Sequence, residues 1–137
     1  MWWIYALLSA LFAALTAIFA KVGIKNVDSD LATAIRTVII LVIAWGIAIV
    51  RGGVTTIGQL NKVNWVFLIL SGCATGLSWI FYFKALKLGE VSQVAPVDKL
   101  SVALAIILSV LFLDEQLTWK TAAGAALIIT GTLVLIF

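Results

Sequence analysis

Five apolar runs of about 20 residues decide what this sequence can fold into. A helix rising ~1.5 Å per residue needs about 20 apolar residues to cross ~30 Å of membrane hydrocarbon. Runs of this length alternate with short, more polar connections. They cover residues 2–20, 31–50, 64–86, 91–113 and 119–137. Because 64% of the residues are hydrophobic and only 11% are charged, the chain has too little polar surface for a water-soluble fold of this length.

The runs are predicted to be helices and not strands. Backbone groups in lipid must find hydrogen-bond partners within the protein, and these runs lack the alternating pattern of a barrel strand. The predicted fold class is therefore all-α, a membrane bundle of five transmembrane helices forming one domain over residues 1–137. Residues 1–20 have no basic region before the apolar run. We therefore interpret them as a retained first span and not as a cleaved signal peptide.

Several classes of protein are excluded by what the sequence lacks. It contains no histidine, and Cys73 is its single cysteine, so neither an intrachain disulfide nor a Cys/His metal site can form. No catalytic set and no phosphate-binding glycine loop is present. Nine basic residues scattered over five short islands form no basic stripe for nucleic acid. We expect no enzyme, no cofactor, no metal, no nucleic-acid partner and no ATP-driven pump.

The fourth span contains two adjacent charges and a proline. Asp98 and Lys99 lie about eight residues into the span, which is ~12 Å below its start. A charge in the middle of a span costs ~2.5–3.5 kcal/mol on insertion scales, so such residues usually have a function. Pro96 cannot donate a backbone hydrogen bond, which bends or breaks the helix and makes it a candidate hinge. Broken helices with charges beside the break are typical of transporter sites.

Other embedded charges fall in the same half of the membrane as this pair. The connectivity of five spans places the following residues there: Lys21, Arg36, Lys84, Asp98 and Lys99. With four positive charges and one negative, a shared polar chamber would favour an anionic group such as a carboxylate or phosphate. The alternative is structural: Asp98 neutralises Lys99 or Arg36 and fixes helix packing, while Lys21 and Lys84 extend to the lipid head groups.

The third and fifth spans supply further candidates. Ser78 and Tyr82 belong to a hydroxyl-bearing stripe on one face of the third span, and Trp79 lies beside it. Trp79 and Tyr82 are predicted to flank a solute that has a flat apolar surface and a polar group. In the fifth span, Gly124 and Gly131 lie among small residues and are predicted to contact a second protomer.

Membrane orientation is weakly specified. The face that holds the N-terminus has three basic residues, and the opposite face has four, or two if Lys21 and Lys84 are embedded. Neither count decides the orientation by the positive-inside rule. Such a chain can insert both ways and form an antiparallel homodimer, and a parallel homodimer of fixed orientation is the alternative.

The whole chain resembles the EamA domain of the drug/metabolite transporter superfamily, and the fourth and fifth spans are the most specific part of the resemblance. The stretches that carry the resemblance are GEVSQVAPVDKLS (89–101), LFLDEQLT (111–118) and GAALIITG (124–131), with Arg36 and FKAL (83–86) as further matches. The resemblance implies a five-helix repeat that pairs with itself around a central cavity. By position it implies cavity-side roles for Arg36, Lys84, Pro96 and Asp98. Members often have a second proline and an uncharged stretch at residues 98–101, so the charged pair here favours a charge-selective site.

The predicted function is secondary transport of a small organic metabolite, amino-acid-like or anionic, across the inner membrane of a prokaryote. The predicted substrate-binding residues are Arg36, Ser78, Trp79, Tyr82, Lys84, Asp98 and Lys99. One alternative is export of organic cations, as in the related small multidrug-resistance exporters, which use a glutamate in the first helix. The first span here has no acid. A second alternative is a non-transporting membrane subunit whose embedded charges bind a partner helix.

Overall fold

The computed structural model describes residues 1–137 and is built from α-helices joined by short connections. The helices are α1 (Trp2–Gly23), α2 (Ser29–Val50), α3 (Lys62–Leu88), α4 (Val91–Asp98), α5 (Leu100–Phe112) and α6 (Trp119–Ile136). A 3₁₀ helix (Gly53–Gln59) lies between α2 and α3. There is no strand, and five segments are long and apolar enough to cross a membrane, with α4 and α5 together forming the fourth. The all-α membrane prediction is confirmed.

Two compact units make up the chain. One consists of Phe19–Lys87, and the other of Met1–Ile18 together with Leu88–Phe137. We call them the 19–87 unit and the terminal unit. Most large apolar side chains on the spans are exposed, as expected for a surface that meets lipid and not water.

The fourth span is interrupted at Lys99, three residues after Pro96. The Lys99 amide donates to the carbonyls of Ala95 (3.3 Å) and Pro96 (3.0 Å), and the Val102 amide donates to the Lys99 carbonyl (3.0 Å). This tight turn separates α4 from α5 within a single apolar span, Val91–Phe112; the sequence predicted one span over residues 91–113, bent or broken near Pro96. Pro96 removes the helical bond to the Ser92 carbonyl and its ring crowds that turn, so its direct effect falls before the interruption at Lys99.

Thr132 of α6 contacts α4 beside this interruption. Its side chain is buried, with 4% exposure, and its hydroxyl lies 3.2 Å from the Pro96 carbonyl and 2.8 Å from the Ile128 carbonyl of its own helix. A threonine hydroxyl has a single proton, so the two carbonyls share one donor. The hydroxyl thus ties α6 to the hinge proline within the terminal unit.

Thr132→Val is expected to lower the free energy of unfolding by about 1 kcal/mol, the usual net value of one buried hydrogen bond. Valine keeps the shape of the side chain and removes only the donor. Unfolding of detergent-solubilised protein by titrated dodecyl sulfate measures the effect. Thr130→Val, at an exposed position on the same helix, is the matched control. Equal losses in the two variants would show that the bond to Pro96 contributes nothing.

The connection between α1 and α2 is fixed by a helix cap and by lysines. Asp28 caps α2 by accepting hydrogen bonds from the Asp30 (3.0 Å) and Leu31 (3.1 Å) amides. The bond from Leu31, followed by that from Asp30, holds the pKa of the Asp28 carboxyl below its ordinary value. The Lys87 ammonium donates to the Val27 carbonyl at 3.0 Å. This end of the 19–87 unit therefore keeps an ionised cap and a basic residue together.

Candidate functional site

Arg36 of α2 lies against two aromatic rings of α3. Its guanidinium carbon is 4.4 Å from the Trp79 ring centroid and 4.9 Å from that of Phe83. Trp79 and Phe83 are four residues apart, so they project from one face of the helix. Both distances are within the range of a favourable cation–π contact. The rings therefore position the guanidinium without neutralising its charge.

One end of this guanidinium lacks a hydrogen-bond acceptor. The Arg36 Nη1 atom is buried and makes no hydrogen bond within the chain. Leaving a buried charged donor unsatisfied costs more than the ~1–3 kcal/mol typical of a neutral group. Unpaired donors of this kind are rare in folded proteins and require an explanation, such as a ligand. A carboxylate is the group whose geometry best matches a guanidinium edge.

The Arg36 cluster continues along α3 toward the helix end. The Tyr82 and Phe83 rings meet edge to face, with centroids 6.3 Å apart at 67°. Phe83 is 2% exposed, while Tyr82 is partly exposed. The Phe83 ring is thus fixed by packing beneath Arg36, and the Tyr82 phenol ring lies beside it. Ser78 is exposed on the same helix.

The lysines near this cluster have partners. The Lys84 ammonium lies 3.5 Å from an Asp30 carboxylate oxygen, with both side chains about half exposed. The Lys21 ammonium donates to the Leu86 carbonyl at 2.6 Å, near the end of α3. Both cations therefore contact groups of the 19–87 unit itself, and the Arg36 Nη1 is left as the unsatisfied donor.

In the terminal unit, the two predicted charges form a pair with each other. The Lys99 ammonium lies 3.2 Å from an Asp98 carboxylate oxygen, and the two side chains are 56% and 33% exposed. The pair sits at the turn between α4 and α5. Its charges cancel formally, but neither side chain is enclosed within the unit.

The structure thus separates the predicted site residues into local groups. Arg36 and Trp79 meet, with Tyr82 close by; Lys84 meets Asp30; Asp98 meets Lys99. A common chamber for all of the embedded charges stays a prediction. The sequence reasoning missed Phe83 as the second ring under Arg36 and Asp30 as the partner of Lys84. The four-residue spacing of Trp79 and Phe83 was the available signal for the first.

Comparison with known proteins agrees with this architecture. The EamA-like transporter family matches over residues 1–137. A protein of Sinorhizobium sp., described as an uncharacterized transporter in the cobO 3′ region, is 50% identical over 134 residues, covering 98% of this chain and 95% of the relative. No solved structure matches the chain. Five membrane-spanning segments, a family match along the whole length and a half-identical relative lead to one conclusion: the chain belongs to the EamA-like transporter family.

Proposed function

We propose that the chain is a secondary transporter that moves small organic metabolites bearing a carboxylate across the inner membrane of a prokaryote, working as a homodimer by alternating access. The observation that carries the proposal is the unsatisfied, buried Nη1 of Arg36 in a membrane-spanning helix. Membership of a transporter family supplies the reaction class. The unsatisfied donor supplies the solute class, amino-acid-like or otherwise anionic.

Arginine suits this role better than lysine. Its planar guanidinium presents parallel N–H donors to both oxygens of a carboxylate and stays charged in a poorly hydrated site. The Trp79 and Phe83 rings already fix the orientation of the Arg36 guanidinium, so its side chain loses little conformational entropy when a solute binds. The Tyr82 phenol and the Ser78 hydroxyl supply the polar contacts that an amino-acid-like solute needs beyond its carboxylate.

The remaining predicted residues are assigned to movement and entry. Pro96 and the turn at Lys99 act as the hinge, since a single residue there interrupts the helix. The Asp98–Lys99 pair opens and re-forms as the hinge moves. Lys84, exposed and paired with Asp30, attracts the anion toward Arg36 at the cost of a weak surface ion pair.

The proposed dimer contact is the glycine-bearing face of α6. A Cβ added to Gly124 or Gly131 would meet no atom of the chain within 4 Å, so neither glycine is needed for packing inside the protomer. Small residues of this kind let two helices approach closely in lipid. We assign this close approach to the α6 helices of two copies of the chain. Reporters fused to the C-terminus and active on one side only separate an antiparallel from a parallel pair.

Gly124→Leu is expected to reduce the dimer fraction at least tenfold, because leucine separates the paired backbones. The measurement is energy transfer between donor- and acceptor-labelled protein in lipid bilayers. Gly72→Leu in α3, where an added Cβ also meets nothing within 4 Å, is the control and should leave the dimer fraction unchanged. Dimers of unchanged stability in Gly124→Leu would place the contact elsewhere.

A screen of matched solutes tests the solute class. Detergent-purified protein is heated with pairs of compounds that differ only in carrying a carboxylate or the corresponding primary amide. A solute that binds the folded state raises its apparent stability. We expect stabilisation by members of the acid series and not by their amides. Equal shifts for acid and amide, or stabilisation by organic cations alone, would refute the proposed solute class.

A further inference from the structure

A groove at the loop end of α2 is the feature that the transport proposal leaves unexplained. It has a volume of about 270 Å³ and lies between the last turns of α2 and the 3₁₀ helix. Its lining consists of Ala44, Trp45, Ala48, Gly53, Val54 and Ile57. All of these side chains are apolar or small. The groove belongs entirely to the 19–87 unit and does not include Arg36 or its aromatic partners.

The local backbone explains why this groove forms and why it is apolar. Gly52 ends α2 in the left-handed region, with φ of +73°, which turns the chain back so that the 3₁₀ helix packs on α2. The Thr55 hydroxyl donates to the Gly52 carbonyl and the Thr56 hydroxyl to the Gly53 carbonyl, each at 2.7 Å. Both hydroxyls are therefore used by their own turn.

The groove runs along the direction that a lipid chain takes. Ala48 and Ala44 lie three and seven residues before Arg51, the residue that follows the end of α2. At ~1.5 Å per residue, the lining extends ~10 Å from the helix end toward the middle of the span. Trp45 lies between these positions with about half of its side chain exposed. The groove thus starts at the membrane interface and points into the hydrocarbon.

The segment that covers the groove is basic at both ends. Arg51 precedes it and Lys62 follows it, and no acidic residue lies between them. By contrast, residues 21–30, around the turn from α1 to α2, carry Asp28 and Asp30 alongside Lys21 and Lys25. Each basic residue near an anionic membrane surface contributes about 1 kcal/mol, or roughly fivefold in affinity. A segment that is basic at both ends therefore favours an anionic occupant.

We propose that this groove is a binding site for one anionic phospholipid. The phosphate headgroup pairs with Arg51 and Lys62, and an acyl chain lies along Trp45 and Ala48. A second copy of the chain would not explain why the segment beside the groove is basic at both ends. A zwitterionic lipid would leave Arg51 and Lys62 without a net partner.

Trp45 provides the reporter for the experiment. Purified protein is placed in phosphatidylcholine vesicles that contain increasing amounts of a lipid with brominated acyl chains, which quench tryptophan on contact. The signal of Trp45 is the difference between the protein and its Trp45→Phe variant. Brominated phosphatidylglycerol is expected to quench this signal at mole fractions at least fivefold lower than brominated phosphatidylcholine.

The paired variants identify the cause of that preference. In the double variant Arg51→Gln with Lys62→Gln, the two brominated lipids should quench Trp45 equally. The control double variant, Lys25→Gln with Lys120→Gln, removes the same charge elsewhere and should keep the preference for phosphatidylglycerol. If the first pair fails to fold, ionic strength of about 1 M applied to the unaltered protein should weaken the preference by screening. Equal quenching by both lipids in the unaltered protein, or a preference that survives both treatments, overturns the proposal. Solute binding in the acid and amide screen is independent of either outcome.

Discussion

Arg36→Met is expected to weaken binding of a carboxylate solute roughly 10- to 100-fold, because a hydrogen bond to a charged group is worth about 1.5–3 kcal/mol. Methionine keeps apolar contact with the Trp79 and Phe83 rings and removes the donors. The preference for the acid over its amide should also disappear, which a purely structural defect would not produce. Thermal shift with the matched acid and amide pairs measures both effects.

Two further variants serve as comparisons for Arg36→Met. Arg36→Lys keeps the charge but loses the planar pair of donors, so we expect affinity between that of the unaltered protein and that of Arg36→Met. Lys25→Met removes one exposed positive charge outside the cluster and should leave affinity unchanged. An Arg36→Met protein that still distinguishes acid from amide would show that the carboxylate binds elsewhere.

Joint neutralisation of the hinge pair, Asp98→Asn with Lys99→Met, is expected to slow transport at least tenfold while the protein still folds. With both charges removed, the span contains no unpaired charge. Insertion scales give ~2.5–3.5 kcal/mol as the free-energy cost of one such charge in a membrane helix. Folding is therefore spared, and only the exchange of partners at the turn is lost. Uptake into liposomes and unfolding in dodecyl sulfate are measured on the same preparation.

Asp98→Asn alone supplies the contrast. It leaves the Lys99 ammonium without its carboxylate, so we expect reduced expression or stability as well as reduced transport. If the pair served helix packing only, the double variant would transport at a near-normal rate. That outcome would restrict Asp98 and Lys99 to the structural role considered at the outset.

The spans could be predicted from the sequence because their cause is local. Twenty apolar residues in a row need no knowledge of the rest of the chain to identify a membrane helix. The interruption of the fourth span was equally local, since Pro96 disturbs the helix through its own missing N–H. Its position at Lys99 was not predicted, because the direct effect of a proline falls on the turn before it.

Side-chain partners were predictable only where helical spacing implied them. Trp79 was selected for its face of α3, and the same spacing would have added Phe83. The contact of both rings with Arg36 depends on how α2 and α3 pack, which periodicity does not specify. The Lys84–Asp30 pair joins residues 54 positions apart, one near the end of α3 and the other in the first turn of α2. Nothing local to either residue indicates the other. The groove at Trp45 likewise depends on how the 3₁₀ helix after Gly52 packs on α2, which the sequence pattern does not specify.

The most direct test of the account is solute flux through the purified protein alone. Liposomes containing only this chain are loaded with the unlabelled carboxylate identified by the acid and amide screen and diluted into the labelled compound. The account predicts saturable uptake that is faster than in unloaded liposomes, since a carrier exchanges solute across the membrane. Uptake no greater than in protein-free liposomes, from protein that still binds the solute, would contradict it and favour a non-transporting membrane subunit.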